Sequence, residues 1–205
     1  MPYRDWTSCL AEPTTQRLFF ALWPDEGVRV QLRAAQDAMP RRGGRPVHVE
    51  DIHVTLAFLG PVDAEHRACM EQAAAGVRGM AFELDVDRQG YWPRPRVAWC
   101  APAEVPEPLC DLVQRLNRAL RPCGFEPERR AYRPHVTLFR DSRTVPEGPL
   151  ARPVRWPCRE FVLVASASVP GGPRYRVLAR WPLADSCNEP PPCHNGEHKE
   201  NERSP

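Results

Sequence analysis

The sequence predicts an α+β protein made of two similar halves that face each other across a cleft. Two observations lead there. The tetrapeptide HVTL occurs twice, at 53–56 within DIHVTLAFLG and at 135–138 within RPHVTLFR. Each copy also follows the same series of strand, helix and chain break, with 35 positions from Leu18 to His53 and 38 from Val97 to His135. Matching order and spacing is the mark of a duplicated αβ unit, even though only the HVTL letters are identical.

The elements follow in order. RLFFALW (17–23) is a buried strand, and Pro24, Asp25 and Glu26 open a helix through about Met39 with acidic residues in its first turn. RRGG (41–44) breaks it. PVHV (46–49) is a short strand or approach, DIHVTLAFLG a strand ended by Gly60 and Pro61, and 64–77 a second helix. The second half begins with AFELDVD (81–87), turns through QGYWPRPR and continues with RVAWCA (96–101). Pro106 and Glu107 then open a helix whose apolar positions Leu109, Leu112, Val113, Leu116 and Leu120 lie on one face, and Pro122 and Gly124 end it. After RPHVTLFR, EFVLVAS (160–166) and RYRVLARW (174–181) pair as a hairpin around VPGGP.

Residues 1–15 lack periodicity and are expected to form a mobile arm; 16–184 form the bilobal domain. Residues 185–205 are polar, charged and broken by prolines, and are expected to be a disordered tail. The tail carries Cys187, Cys193, His194 and His198, the letters but not the spacing of a zinc site. Most of the eight cysteines are expected to be buried apolar groups or incidental thiols. A net charge of +2 gives no field suited to coating long nucleic acid, and no apolar run is long enough to span a bilayer. A cytoplasmic location is expected.

Because side chains alternate along a strand, His53 and Thr55 share one face, and His135 and Thr137 share another; Val54, Leu56 and Phe58 point away from the first pair. Each motif offers an imidazole and a hydroxyl. Neither has Cys, Asp or a second His at metal-ligand spacing, and no GxSxG elbow is present. Two imidazoles across one space suit a reaction that needs a base on one side and an acid on the other, such as in-line phosphodiester cleavage. The threonines would hold non-bridging phosphate oxygens.

RLFFALWP, VHVEDIHVTLAFLG, YWPRPRVAW, AYRPHVTLFR and SASVPGGPRYRVLARWPL, read in this order, resemble the two-histidine (2H) phosphoesterase superfamily. Within it they resemble the bacterial and archaeal RNA 2',3'-cyclic phosphodiesterases, formerly described as 2'-5' RNA ligases. The likeness spans Arg17 to Leu183, about four fifths of the chain. It implies a bilobal α+β fold, two antiparallel sheets backed by helices around a central cleft. It also implies hydrolysis of a 2',3'-cyclic phosphate to a 2'-phosphate without metal or other cofactor, the protein acting as a monomer on RNA ends or cyclic nucleotides. His53 and His135 then match the catalytic positions, His53 as acid toward the 3'-oxygen and His135 as base toward water, with Thr55 and Thr137 on the phosphate. The alternatives are another activity of the superfamily, such as 2'-5' ligation or cleavage, and a non-catalytic nucleotide- or RNA-binding module.

Arg140 ends the second motif and would neutralise phosphate. Simple parity places it opposite His135, so only a strand end or bulge would bring it to the cleft. Arg133 shares the parity of His135 and is equally readable as a solvated strand-start arginine. Phe20 is a candidate for stacking on a base, against a reading as core. Tyr91 and Trp92 divide in the same way between a rim platform and loop packing, and His48 and His66 are read as surface residues.

Overall fold

The computed structural model describes residues 15–39, 44–143, 145–166 and 174–185. Most of both arms, the four Cys and His residues of the tail and the VPGGP turn lie outside the described residues. Within those described, nine strands and three α-helices follow in order: β1 (Gln16–Leu22), α1 (Glu26–Ala38), β2 (Arg45–Pro46), β3 (Val54–Val62), α2 (Ala64–Ala75), β4 (Phe82–Trp92), β5 (Val97–Ala101), α3 (Glu107–Leu120), β6 (Val136–Arg140), β7 (Gly148–Cys158), β8 (Glu160–Ser166) and β9 (Tyr175–Pro182).

The two sheets are joined edge to edge. Strand order is β7-β4-β5-β6-β3-β1-β8-β9, with β2 added on β6, and the named strand pairs are antiparallel. The first half is β9-β8-β1-β3 and the second is β7-β4-β5-β6. The halves meet where Val54 of β3 registers with Val136 of β6, each valine immediately following a motif histidine. The duplication read from spacing thus becomes a near two-fold arrangement with the histidines at its centre.

The helices cross over. α1 follows the first strand of the first half but lies against β7 of the second; α3 follows β5 yet contacts β3 and pairs with α2. Asp25 caps α1 by accepting from Val28 N at 2.8 Å, and Asp63 caps α2 by accepting from His66 N at 2.9 Å. The five apolar positions expected on α3 are all buried. One large core lies beneath the helices. A smaller apolar cluster, Phe19, Ala21, Val162 and Val164, has Trp23, Tyr175 and Val177 packed against it.

Several boundaries differ from the sequence reading. β3 does not end at Gly60 and Pro61. Leu18 registers with Gly60 and Phe19 with Phe58, so Leu59 is an extra residue, and Gly60 has φ +75°. β4 continues through Gly90 to Trp92 because Gly90 gives room to Trp99: a Cβ there would lie 2.3 Å from the indole. β7 was not read from sequence, since Pro149, Pro153 and Pro157 interrupt it. It tolerates them at the edge of the sheet, where one side needs no ladder donors. Cys69 and Cys123 are not thiols; they form a disulfide that ties α2 to the 3₁₀ turn after α3. Cys100 and Cys158 are free and buried, as expected.

Candidate active site

Each motif histidine is oriented by the backbone two residues before it. His53 Nδ1 lies 2.6 Å from the carbonyl of Asp51, and His135 Nδ1 lies 2.9 Å from the carbonyl of Arg133. A carbonyl can only accept, so Nδ1 carries the proton in both neutral rings and Nε2 presents its lone pair. On His53 that lone pair faces the Thr55 hydroxyl at 3.1 Å. Thr55 is steadied in turn by Tyr132, whose hydroxyl donates to its carbonyl at 3.0 Å.

The surroundings of the two rings differ. His53 stacks on Trp23, with centroids 5.7 Å apart and planes 14° apart, and also meets Phe19 at 4.8 Å and the edge of Tyr175 at 5.3 Å. His135 meets Trp92 at 4.5 Å, and Trp92 rests on Trp99 at 5.4 Å. Burial lowers the His53 pKa to about 4; the Asp51 hydrogen bond pulls it upward, and charge on Arg140 and His135 lowers it further. Burial also lowers His135, against the Arg133 carbonyl and together with Arg140. Both rings are therefore neutral at pH 7, and Arg140 is close enough to act on both.

Arg140 reaches the cleft through a bulge. Ala98 registers with Phe139 and Trp99 with Thr137, leaving Leu138 without a partner on β5. Leu138 and Phe139 consequently both point into the core, and Arg140 returns to the face of Thr137. β3 has the equivalent irregularity: Phe20 registers with Ala57 and Ala21 with Thr55, so Leu56 is extra. The residue it returns to the motif face is Phe58. This corrects the parity reading that set Phe58 beside Val54 and Leu56; its ring is exposed and lies under Arg17.

A pocket of about 120 Å³ opens beside His53, with Thr137 and Arg140 in its wall together with Arg45, Arg174 and Tyr175, whereas His135 and Thr55 lie outside its lining. Asp51 anchors the closing hairpin to the site. Its buried carboxylate accepts from Arg174 N at 2.9 Å and from Tyr175 N at 3.1 Å, while its carbonyl holds His53. A second pocket, around the C-terminal end of β3 and lined in part by Phe58, Asp63 and His66, contains neither motif.

Other sequence candidates fall elsewhere. Phe20 is fully buried against Phe161 and Trp181 and has no face for a base; the ring beside His53 is its neighbour Phe19. Tyr91 packs a loop, donating to Ser142 O at 3.1 Å, whereas Trp92 supports His135. Arg133 contributes its carbonyl. His66 pairs with Asp63 on the surface, and His48 is exposed at the pocket rim. Strand parity alone could have separated Phe19 from Phe20. Asp51, Trp23, Arg45, Arg174 and Tyr175 carry no comparable signal, because their roles depend on contacts distant in sequence.

The family model described as LigT like Phosphoesterase matches residues 22–99 and 101–175, both motifs included. The chain belongs to the LigT-like phosphoesterase family. This LigT-like chain is 36% identical over 178 residues to the RNA 2',3'-cyclic phosphodiesterase of Escherichia coli K12, covering 85% of this chain and 99% of that protein. It is 34% identical to the protein of the same name from Thermus thermophilus, over 82% of this chain and 90% of that one. The structure of E. coli LigT complexed with 3'-AMP superposes with a TM-score of 0.75 at 35% identity, covering 82% of this chain and 98% of that one. No described helix is long and apolar enough to cross a membrane.

Proposed function

We propose that this chain hydrolyses the 2',3'-cyclic phosphate of RNA ends or nucleotides to a 2'-phosphomonoester, by paired-histidine acid and base catalysis that needs no metal. The observation that carries the reading is the matched pair of imidazoles. Each is fixed through Nδ1 by a carbonyl two residues upstream, with Nε2 turned away from that anchor, bonded to the Thr55 hydroxyl on His53 and open on His135, and one arginine acts on both. The names of the relatives above point to the same substrate, and the 3'-AMP complex of one of them fits a ribose-phosphate ligand.

In this mechanism His135 is the base. Its Nε2 has no side-chain partner among the described residues, so it can accept a proton from the water that attacks phosphorus. His53 is the acid toward the 3'-oxygen. Binding of the phosphate anion raises its depressed pKa, and the Trp23 face stabilises the imidazolium that forms. Thr55, Thr137 and Arg140 hold the non-bridging oxygens, with the Arg140 fork supplying the positive charge. The water proton ends on His135, the His53 proton ends on the 3'-hydroxyl, and the P–O3' bond breaks as the P–O(water) bond forms.

Incubation with a 2',3'-cyclic nucleotide in the presence of a chelator tests this. A 2'-phosphate product is expected. A 3'-phosphate would reverse the leaving-group assignment, and an unchanged substrate would reject the activity.

A further inference from the structure

We propose that the pocket beside His53 contains a second phosphate subsite, formed by Arg45 and Arg174, that takes the phosphate on the 5' side of the reacting nucleotide. This rests on the hydrolase reading above and extends it to the shape of the substrate.

A cyclic phosphate diester carries one negative charge, which Arg140 matches. The same pocket wall holds two more guanidinium groups, Arg45 and Arg174. Its carboxylate, Asp51, is buried and occupied by backbone N–H groups of the hairpin, leaving neither arginine neutralised from within the pocket. Among the described residues the Arg174 side chain has no hydrogen-bond or ion-pair partner. Arg45 pairs with Asp141 at 2.6 Å, but both side chains are more than half exposed, 68% and 51%, so the pair is weak and a phosphate can compete for it.

Geometry sets the two phosphate positions side by side. Arg45 registers directly opposite Arg140 in the β2–β6 pair, which places the two side chains on one face with Cβ atoms about 5 Å apart. Like charges directly opposite in a sheet are unfavourable, and the exposed Asp141 carboxylate, bonded to Arg45 and acting also on Arg140, offsets part of that repulsion until a phosphate takes its place. Two neighbouring forks suit two neighbouring phosphates, and each guanidinium matches a phosphate in bidentate fashion. Arg174, held through its own backbone by Asp51, completes the wall from the hairpin side. The shared ligand chemistry is a phosphate at the ribose 5'-oxygen, either a terminal monoester or the internal diester of an RNA strand.

Calorimetric binding of adenosine 2'-phosphate and adenosine 2',5'-bisphosphate tests the subsite independently of turnover. The bisphosphate should bind at least tenfold tighter. Arg45→Ala and Arg174→Ala should each reduce that advantage, and the double variant should abolish it with much less effect on the 2'-phosphate. Equal affinities, or an advantage that survives the double variant, would overturn the proposal. Turnover then identifies the source: a 5'-hydroxyl cyclic mononucleotide, its 5'-phosphorylated form and a dinucleotide ending in a cyclic phosphate are compared. Both phosphate-bearing substrates should be preferred; a gain limited to the monoester would overturn the extension to RNA strands. A retained bisphosphate advantage without hydrolysis of any substrate would reject the hydrolase reading and leave the subsite standing.

Discussion

Gln36, buried in α1, donates from Nε2 to the carbonyl of Leu138 at 2.8 Å, and Leu138 is the extra residue that turns Arg140 toward the histidines. Val47 N donates to the same carbonyl at 2.9 Å, and Gln36 also reaches Val47 O at 3.0 Å. One side chain from the helix of the first half thus braces the bulge in the motif strand of the second. Gln36→Leu removes the side-chain donor to Val47 O and leaves Leu138 O with Val47 N alone, at a cost of about 1–3 kcal/mol. It should lower the melting temperature and raise KM more than it lowers kcat. Denaturant melts and steady-state kinetics measure both, and an unchanged KM would show that the bulge holds without Gln36.

The lowered pKa values of the two histidines set the pH behaviour. If the productive free enzyme carries one proton on the pair, kcat/KM should be bell-shaped with both limbs below the ordinary histidine value of 6.5. It should therefore already be falling at pH 6.5 and continue to fall through neutrality, whereas kcat should peak at higher pH because bound phosphate favours the imidazolium. Stability moves the other way. The unfolded chain binds these protons more readily than the fold does, so the histidine contribution is complete above about pH 6.5 and is lost as pH falls toward 4. A pH series of kinetics and urea melts separates the two effects.

Asp51 links the hairpin to His53, and its two roles can be distinguished. Asp51→Asn keeps an oxygen that accepts from Arg174 N and Tyr175 N; Asp51→Ala keeps the carbonyl to His53 but releases the hairpin. The Ala variant should be destabilised by roughly 1–3 kcal/mol with reduced substrate affinity, and the Asn variant should recover most of both. Equal behaviour of the two would remove the hairpin anchor from the account.

Cys69–Cys123 closes a loop with a sequence separation of 54, and neither cysteine lines the His53 pocket. Replacing both by Ser should cost about 2–4 kcal/mol of stability with little change in kcat. Non-reducing peptide mapping checks the link directly: a 69–123 crosslinked peptide is expected, and two free thiols would contradict it.

The parts of the site legible in the sequence were those controlled by local periodicity. The alternation of a strand placed His53 with Thr55 and His135 with Thr137, and the 3.6-residue period identified the buried face of α3. Parity failed at the bulges, where one extra residue moved Phe58 and Arg140 to the opposite face from the simple count. β7 escaped because its prolines are compatible with a strand only at a sheet edge, and edges are a property of the assembled fold. The Asp51 anchor and the Cys69–Cys123 pair join segments 123 and 54 positions apart, beyond the reach of local pattern.

The proposed mechanism makes His53 and His135 one acid and base pair. Turnover of a 2',3'-cyclic nucleotide by His53→Ala, His135→Ala and the double variant tests it, with circular dichroism to verify folding. Each single variant should lose about 10²–10⁴ in kcat, and the double variant should be little worse than either, because the groups work as a unit. Full activity in either folded single variant would contradict the account.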